Sequence, residues 1–161
     1  MKKIIWAIGL MLFAGHASAA YPDRSIRLVV PFATGGTSEI IARSVASSLS
    51  TSLGQSVYVD NKPGGAGNIA MEEVKRANPD GYTLMLGHVG TLAVNPALFG
   101  KKLPYDPNKD FVPVTLVAKV PNVIAVSEKS PYRTLADLVA DAKKNPGKIN
   151  YGSAGNGSAD H

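Results

Sequence analysis

Four stretches of the chain set glycine where an apolar run gives way to a loop or a helical pattern, three of them with hydroxyl side chains alongside. They are Phe32-Ala33-Thr34-Gly35-Gly36-Thr37-Ser38, Gly64-Gly65 with Gly67, Gly87-His88 with Gly90 and Thr91, and Ser153-Ala154-Gly155-Asn156-Gly157-Ser158. The chemistry such turns can do is anion capture. A helix N-terminus presents unpaired amide hydrogens and the positive end of the helix dipole. Glycine lets a ligand approach the backbone. A carboxylate or phosphate can therefore bind there without a charged side chain, and Thr34, Thr37, Ser38, Thr91, Ser153 and Ser158 can add direct or water-mediated bonds. One glycine turn by itself is often only steric; four together point to a ligand site. Glu39 complicates the first of them, because a carboxylate in the first helical turn either repels an anionic ligand or points away and serves the helix.

Other chemistries have thin support. Beyond residue 19 the histidines are His88 and His161, and there is no G-x-S-x-G or H-E-x-x-H pattern and no cluster of His, Asp and Glu suited to a metal. "GAGNIA", residues 65–70, matches G-x-G-x-x-A, but no acidic residue follows at the spacing a dinucleotide site needs. Neither catalysis nor a cofactor is expected. His88 can contact a ligand or simply cap its loop.

The elements that would position these loops alternate strand, glycine loop, helix. Residues 25–32 read as a buried strand through Ile26, Leu28, Val29 and Val30; residues 37–53 as a helix with Ile41, Val45, Leu49 and Leu53 inward and Gly54 ending it. A strand follows at 57–60, and a helix to about Ala77 with Ile69 and Val74 inward. "NPDG", 78–81, is a turn, and 82–86 a third strand. This rhythm implies a mostly parallel α/β sheet with covering helices, whose loops gather at the carboxyl ends of the strands. Residues 101–110 read as a long surface connection. Two apolar runs, 111–120 and 123–126, suit a crossing into a second domain. A helix is expected around Leu135, Leu138, Val139 and Ala142, and a strand at 149–152 before the last loop. The helix that should follow Gly157 is absent, so the chain is expected to be the front part of a longer protein.

The N-terminus carries Lys2 and Lys3, an apolar run at 4–13 and Ala17-Ser18-Ala19. This reads as a secretory signal peptide over residues 1–19, the alternative being an anchor helix. Without it the formal charge falls from +5 to +3, with basic residues scattered rather than striped, so nucleic acid is not an expected partner. There is no cysteine, so an exported domain of this sequence must rely on a hydrophobic core rather than on disulfides.

Taken in order, "YPDRSIRLVVPFATGGTSEIIAR", "DNKPGGAGNIA", "ANPDGYTLMLGHVGTLAVNPALF", "LPYDPNKDFVPVTLVAKVPNV" and "NPGKINYGSAGNGSADH" resemble the successive signatures of the Bug-type solute receptors of tripartite tricarboxylate transporters. The resemblance covers the chain beyond the signal peptide. It implies a monomeric periplasmic binding protein of type II, a two-lobed Venus flytrap that closes on a small carboxylate and hands it to membrane permease subunits. It implies lobe 1 at 20–120 and an incomplete lobe 2 at 121–161. It places the ligand between Phe32 to Ser38 and Ser153 to Ser158, with Gly87, His88 and Thr91 beside the first. The sequence departs from the pattern at Ala33-Thr34, where two prolines are usual, at Glu39, where Asp is common, and at Asp160, where a small or hydroxyl residue is usual. It is also about half the usual length. Alternatives are a periplasmic sensor for a two-component system, a hydrolase using Ser153 or Ser158, and a truncated product without function.

Overall fold

A computed structural model describes residues 20–153, 158, 159 and 161; the expected signal peptide lies outside them. Strand β1, Ile26–Val30, lies at the centre of a three-stranded parallel sheet, between β2, Val57–Asn61, and β3, Thr83–Met85. Ile26 stands opposite Val57 and Val30 opposite Asn61 on one side; Arg27 stands opposite Thr83 and Val29 opposite Met85 on the other. Bonds from Arg27 N–H to Tyr82 O (2.8 Å) and from Leu86 N–H to Val29 O (2.9 Å) carry the β3 pairing across the full expected span of 82–86.

Both faces of β1 are covered, which is why its residues are apolar apart from Arg27. Ile26, Leu28 and Val30 meet helix α1, Thr37–Leu53, in a core completed by Ala42, Ala46 and Val57. On the other face lie Val29 and helix α2, Asn68–Lys75, with Ala70 and Met71 fully buried. Arg27 shares that face. Its guanidinium bonds to Asp60 (Nε–Oδ2 2.8 Å) and to Glu73 of α2, so a charged side chain in a central strand ties sheet to helix.

Two inward stripes differ from expectation. In α1 the buried apolar positions are Ala42 and Ala46; Ile41, Val45 and Leu49 are half-buried and Leu53 is exposed. Alanine at successive turns lets the helix axis lie close to the sheet, and the larger residues flank the contact. In α2 it is Ala70 and Met71 that bury, while Ile69 is exposed and covers Gly64 and Gly65 instead. Gly54 ends α1 as expected, at φ 66°, with its N–H on Ser50 O at 3.1 Å.

The chain then passes through a widened π turn, Gly90–Val94, into the short helix α3, Asn95–Phe99, and a 3₁₀ turn, Gly100–Lys102. The surface connection that follows is pinned from within. Tyr105 is buried, and Lys75 Nζ reaches Pro104 O (3.1 Å) and Asp110 (2.9 Å). Helix α4, Leu135–Lys144, has a reciprocal cap between Thr134 and Asp137 but no fully buried residue. Residues 112–126 are exposed throughout and form no strand, and the strand expected at 149–152 is not formed. A strand persists only with a partner, and the described strands pair with one another in the order β2-β1-β3. No helix among the described residues is long and apolar enough to cross a membrane.

Candidate functional site

The first and third glycine loops leave the carboxyl ends of the neighbouring strands β1 and β3, so the sheet brings them side by side. The Phe32 and His88 rings meet edge to face at 5.0 Å and join them. Phe32 is half-buried and its carbonyl accepts from Asn61 Nδ2 at 2.9 Å. Ala33, Thr34, Gly35, Gly36 and Thr37 are exposed, and Ser38 is half-buried. Gly36 is the N-cap of α1 in extended conformation, with no side chain capping the helix from that position.

Glu39 does not point away. Its side chain folds back into the loop. Gly35 N–H donates to Glu39 Oε2 at 2.5 Å, and Arg43 Nε donates to Oε1 at 2.7 Å. The residue is only 7% exposed. The Gly35 amide first, and Arg43 second, hold its carboxyl below the usual carboxylate range. Glu39 N–H and Ile40 N–H both turn to Gly36 O. The amides of Gly36, Thr37 and Ser38 have no acceptor in the preceding turn, as the start of a helix requires.

The third loop is closed by its own groups. Thr91 is fully buried; its hydroxyl accepts from His88 N–H (3.2 Å) and donates to His88 O (3.1 Å). Gly90 N–H donates to His88 Nδ1 at 3.1 Å, which in the neutral ring puts the proton on Nε2. Gly87 is exposed beside it. The second loop packs behind this pair. Its Gly67 lies at φ 83° against Thr91 and Pro31.

Three residues that sequence reasoning passed over hold the arrangement. Asn95 is fully buried and donates through Nδ2 to Ala66 O (2.9 Å) and Asn68 Oδ1 (2.8 Å). Tyr105 donates its hydroxyl to Thr91 O at 2.6 Å, with Asn68 Oδ1 at 3.1 Å; burial raises its pKa, so it stays a donor. Arg43 balances Glu39. The available signals were slight: an Asn-Pro pair opening a helix, a lone aromatic in a polar connection, and an acid and a base one turn apart.

In the fourth loop Ser153 is exposed, with Oγ 2.9 Å from His161 Nδ1, and Ser158 is buried. Ala154, Gly155, Asn156 and Gly157, together with Asp160, lie outside the described residues.

A parallel sheet covered by helices, with glycine loops gathered at one end, is an open α/β architecture, and the solved proteins it aligns with are periplasmic binding proteins. The chain aligns with a solved periplasmic transporter protein at a TM-score of 0.80 and 52% identity, covering 84% of this chain and 45% of that one. It aligns with an R. palustris protein solved with adipate at a TM-score of 0.79 and 41% identity, covering 86% of this chain and 46% of that one. Residues 41–161 match the profile of the tripartite tricarboxylate transporter family receptor, and the chain belongs to that family. A UPF0065 protein encoded in the tcbD-tcbE intergenic region of Pseudomonas sp. strain P51 is 39% identical over 164 residues, 99% of this chain and 48% of that protein. The chain thus spans about half the length of the relatives it matches.

Proposed function

We propose that this chain is the N-terminal part of a periplasmic receptor that captures a small carboxylate and delivers it to the permease of a tripartite tricarboxylate-type transporter, without performing chemistry on it. The observation that carries this reading is the junction of the first and third loops. The Phe32–His88 contact brings the N-terminus of α1 beside the third loop, with residues 33–37 exposed and the Gly36, Thr37 and Ser38 amides at the helix start. These groups are hydrogen-bond donors, as a carboxylate requires. The adipate bound by the R. palustris relative is a ligand of the same class. In this reading residues 1–19 are a signal peptide, 20–120 belong to lobe 1 and 121–161 begin lobe 2. The fourth loop, Ser153 to Ser158, then faces the first across the ligand. The exposed apolar side chains at Val112, Val114, Val123 and Ile124 fit the start of a lobe whose remaining elements cover them.

The test is thermal unfolding of the full chain, expressed with whatever sequence its gene carries beyond His161, against adipate, malate, citrate and neutral amide analogues. A ligand present at about a hundredfold its Kd adds roughly 2.7 kcal/mol, an upward shift of several degrees. At least one carboxylate is expected to raise the melting temperature while its amide analogue does not. A flat response to every carboxylate would contradict the proposal.

A further inference from the structure

The first loop commits one of its amides to the protein itself. Gly35 N–H donates to Glu39 Oε2 at 2.5 Å, and Glu39 is almost fully buried in the first turn of the helix whose N-terminus the proposed site uses. A carboxylate there offsets the positive end of the helix dipole and opposes a second carboxylate arriving beside it. Arg43, one turn further on, lies against the same group. Its Nε and Nη2 are 2.7 and 2.5 Å from Glu39 Oε1, and its side chain is 63% exposed. Glu39 therefore carries the loop amide on one oxygen and a guanidinium on the other.

We propose that Glu39 and Arg43 form a positioning and specificity-determining pair for the carboxylate site, an inference that rests on the receptor reading above. Glu39 fixes the loop backbone by holding Gly35, which adopts φ 91°. Arg43 cancels the charge that this clasp introduces, leaving the amides of Gly36, Thr37 and Ser38 to a ligand carboxylate. Fold stability and affinity should then separate. Arg43 is the exposed end of the pair, and Glu39 keeps the Gly35 amide as a partner when Arg43 is removed, so the cost to stability is modest. Removal of Arg43 leaves an unneutralised anion beside the ligand, which acts directly on binding.

The test uses the full chain and isothermal titration with adipate, malate and citrate at about 20 mM and about 500 mM salt, which bracket weak and strong screening. Wild type should bind at least one of them. Arg43→Gln should then weaken that ligand about fivefold at low salt, less at high salt, with little change in melting temperature. Arg43→Lys should restore most of the affinity, and Glu39→Gln/Arg43→Gln, which removes both charges, should return to within about twofold of wild type. Two outcomes overturn the pair's role while leaving the receptor standing: Arg43→Gln binding as wild type at both salts, or the double variant binding as weakly as Arg43→Gln. Failure of wild type to bind any of the three carboxylates would overturn the receptor reading, and the inference with it.

Discussion

Gly67→Ala is expected to destabilise the protein by about 3 kcal/mol, read as a fall in the urea midpoint at constant slope. Two terms add. Gly67 lies at φ 83°, where an L-residue costs about 1–2 kcal/mol. A Cβ there would stand 2.6 Å from Thr91 Cγ2 and 3.2 Å from Pro31 Cβ, and forcing a methyl into a packed contact costs a further 1–3 kcal/mol or so. Gly54→Ala isolates the first term. Gly54 has φ 66° but nothing within 4 Å of its would-be Cβ, so its substitution should cost only about 1–2 kcal/mol. Equal effects at the two positions would mean that the second loop does not press on Thr91 as described. Because Thr91 closes the third loop around His88, Gly67→Ala should also disturb the site from behind.

Tyr105→Ala is the second large effect, about 3–5 kcal/mol, the usual range for truncating a buried aromatic. Tyr105 is 4% exposed, its ring meets Phe111 edge to face at 5.9 Å, and its hydroxyl bonds to Thr91 O. Tyr105→Phe separates ring from hydroxyl. It should cost about 1–2 kcal/mol, because the Thr91 carbonyl loses its partner in a buried setting. Hydrogen exchange adds a local readout: amides at residues 90–92 should exchange faster in Tyr105→Phe than in wild type. Unchanged exchange there would show that the connection at 101–110 is only a surface strap.

The alternation of strands, glycine loops and helices was legible because each element announces itself locally. The α1 boundaries follow from a four-residue apolar spacing and a glycine suited to the left-handed end, and the structure has Thr37–Leu53 as expected. What periodicity could not show is which face of a helix approaches a sheet most closely. The stripe of large residues, Ile41, Val45 and Leu49, is a good marker of the helix. The contact itself belongs to Ala42 and Ala46, whose small size says little in a sequence. Ile69 was misjudged for a related reason: the second loop folds back beneath it, and that turn depends on Gly64, Gly65 and Gly67 all at positive φ.

The site was legible in its glycines and obscure in its supports. Glu39 stood out as an acid where an anion would bind, yet spacing alone could not decide between repulsion and capping. The backbone settles the matter by turning the Gly35 amide toward the carboxylate. Asn95 and Tyr105 lie 27 and 37 residues from the Asn68 side chain they share. No local pattern links such positions. The strand expected at 149–152 shows the complementary lesson: strand-forming composition yields a strand only where a neighbour offers a ladder of bonds.

In the proposed receptor the carboxylate binds where the first and third loops meet. The most direct measurement is a map of backbone amide chemical shifts in the full chain, titrated with the carboxylate that most raises its melting temperature. Saturable shifts are expected to be largest at residues 35–38 and 87–91, with the Gly36, Thr37 and Ser38 amides moving downfield as they take up an anionic acceptor. Shifts that spare these loops, or that centre on the groove lined by Val126, Arg133 and Leu138 beside α4, would contradict that placement.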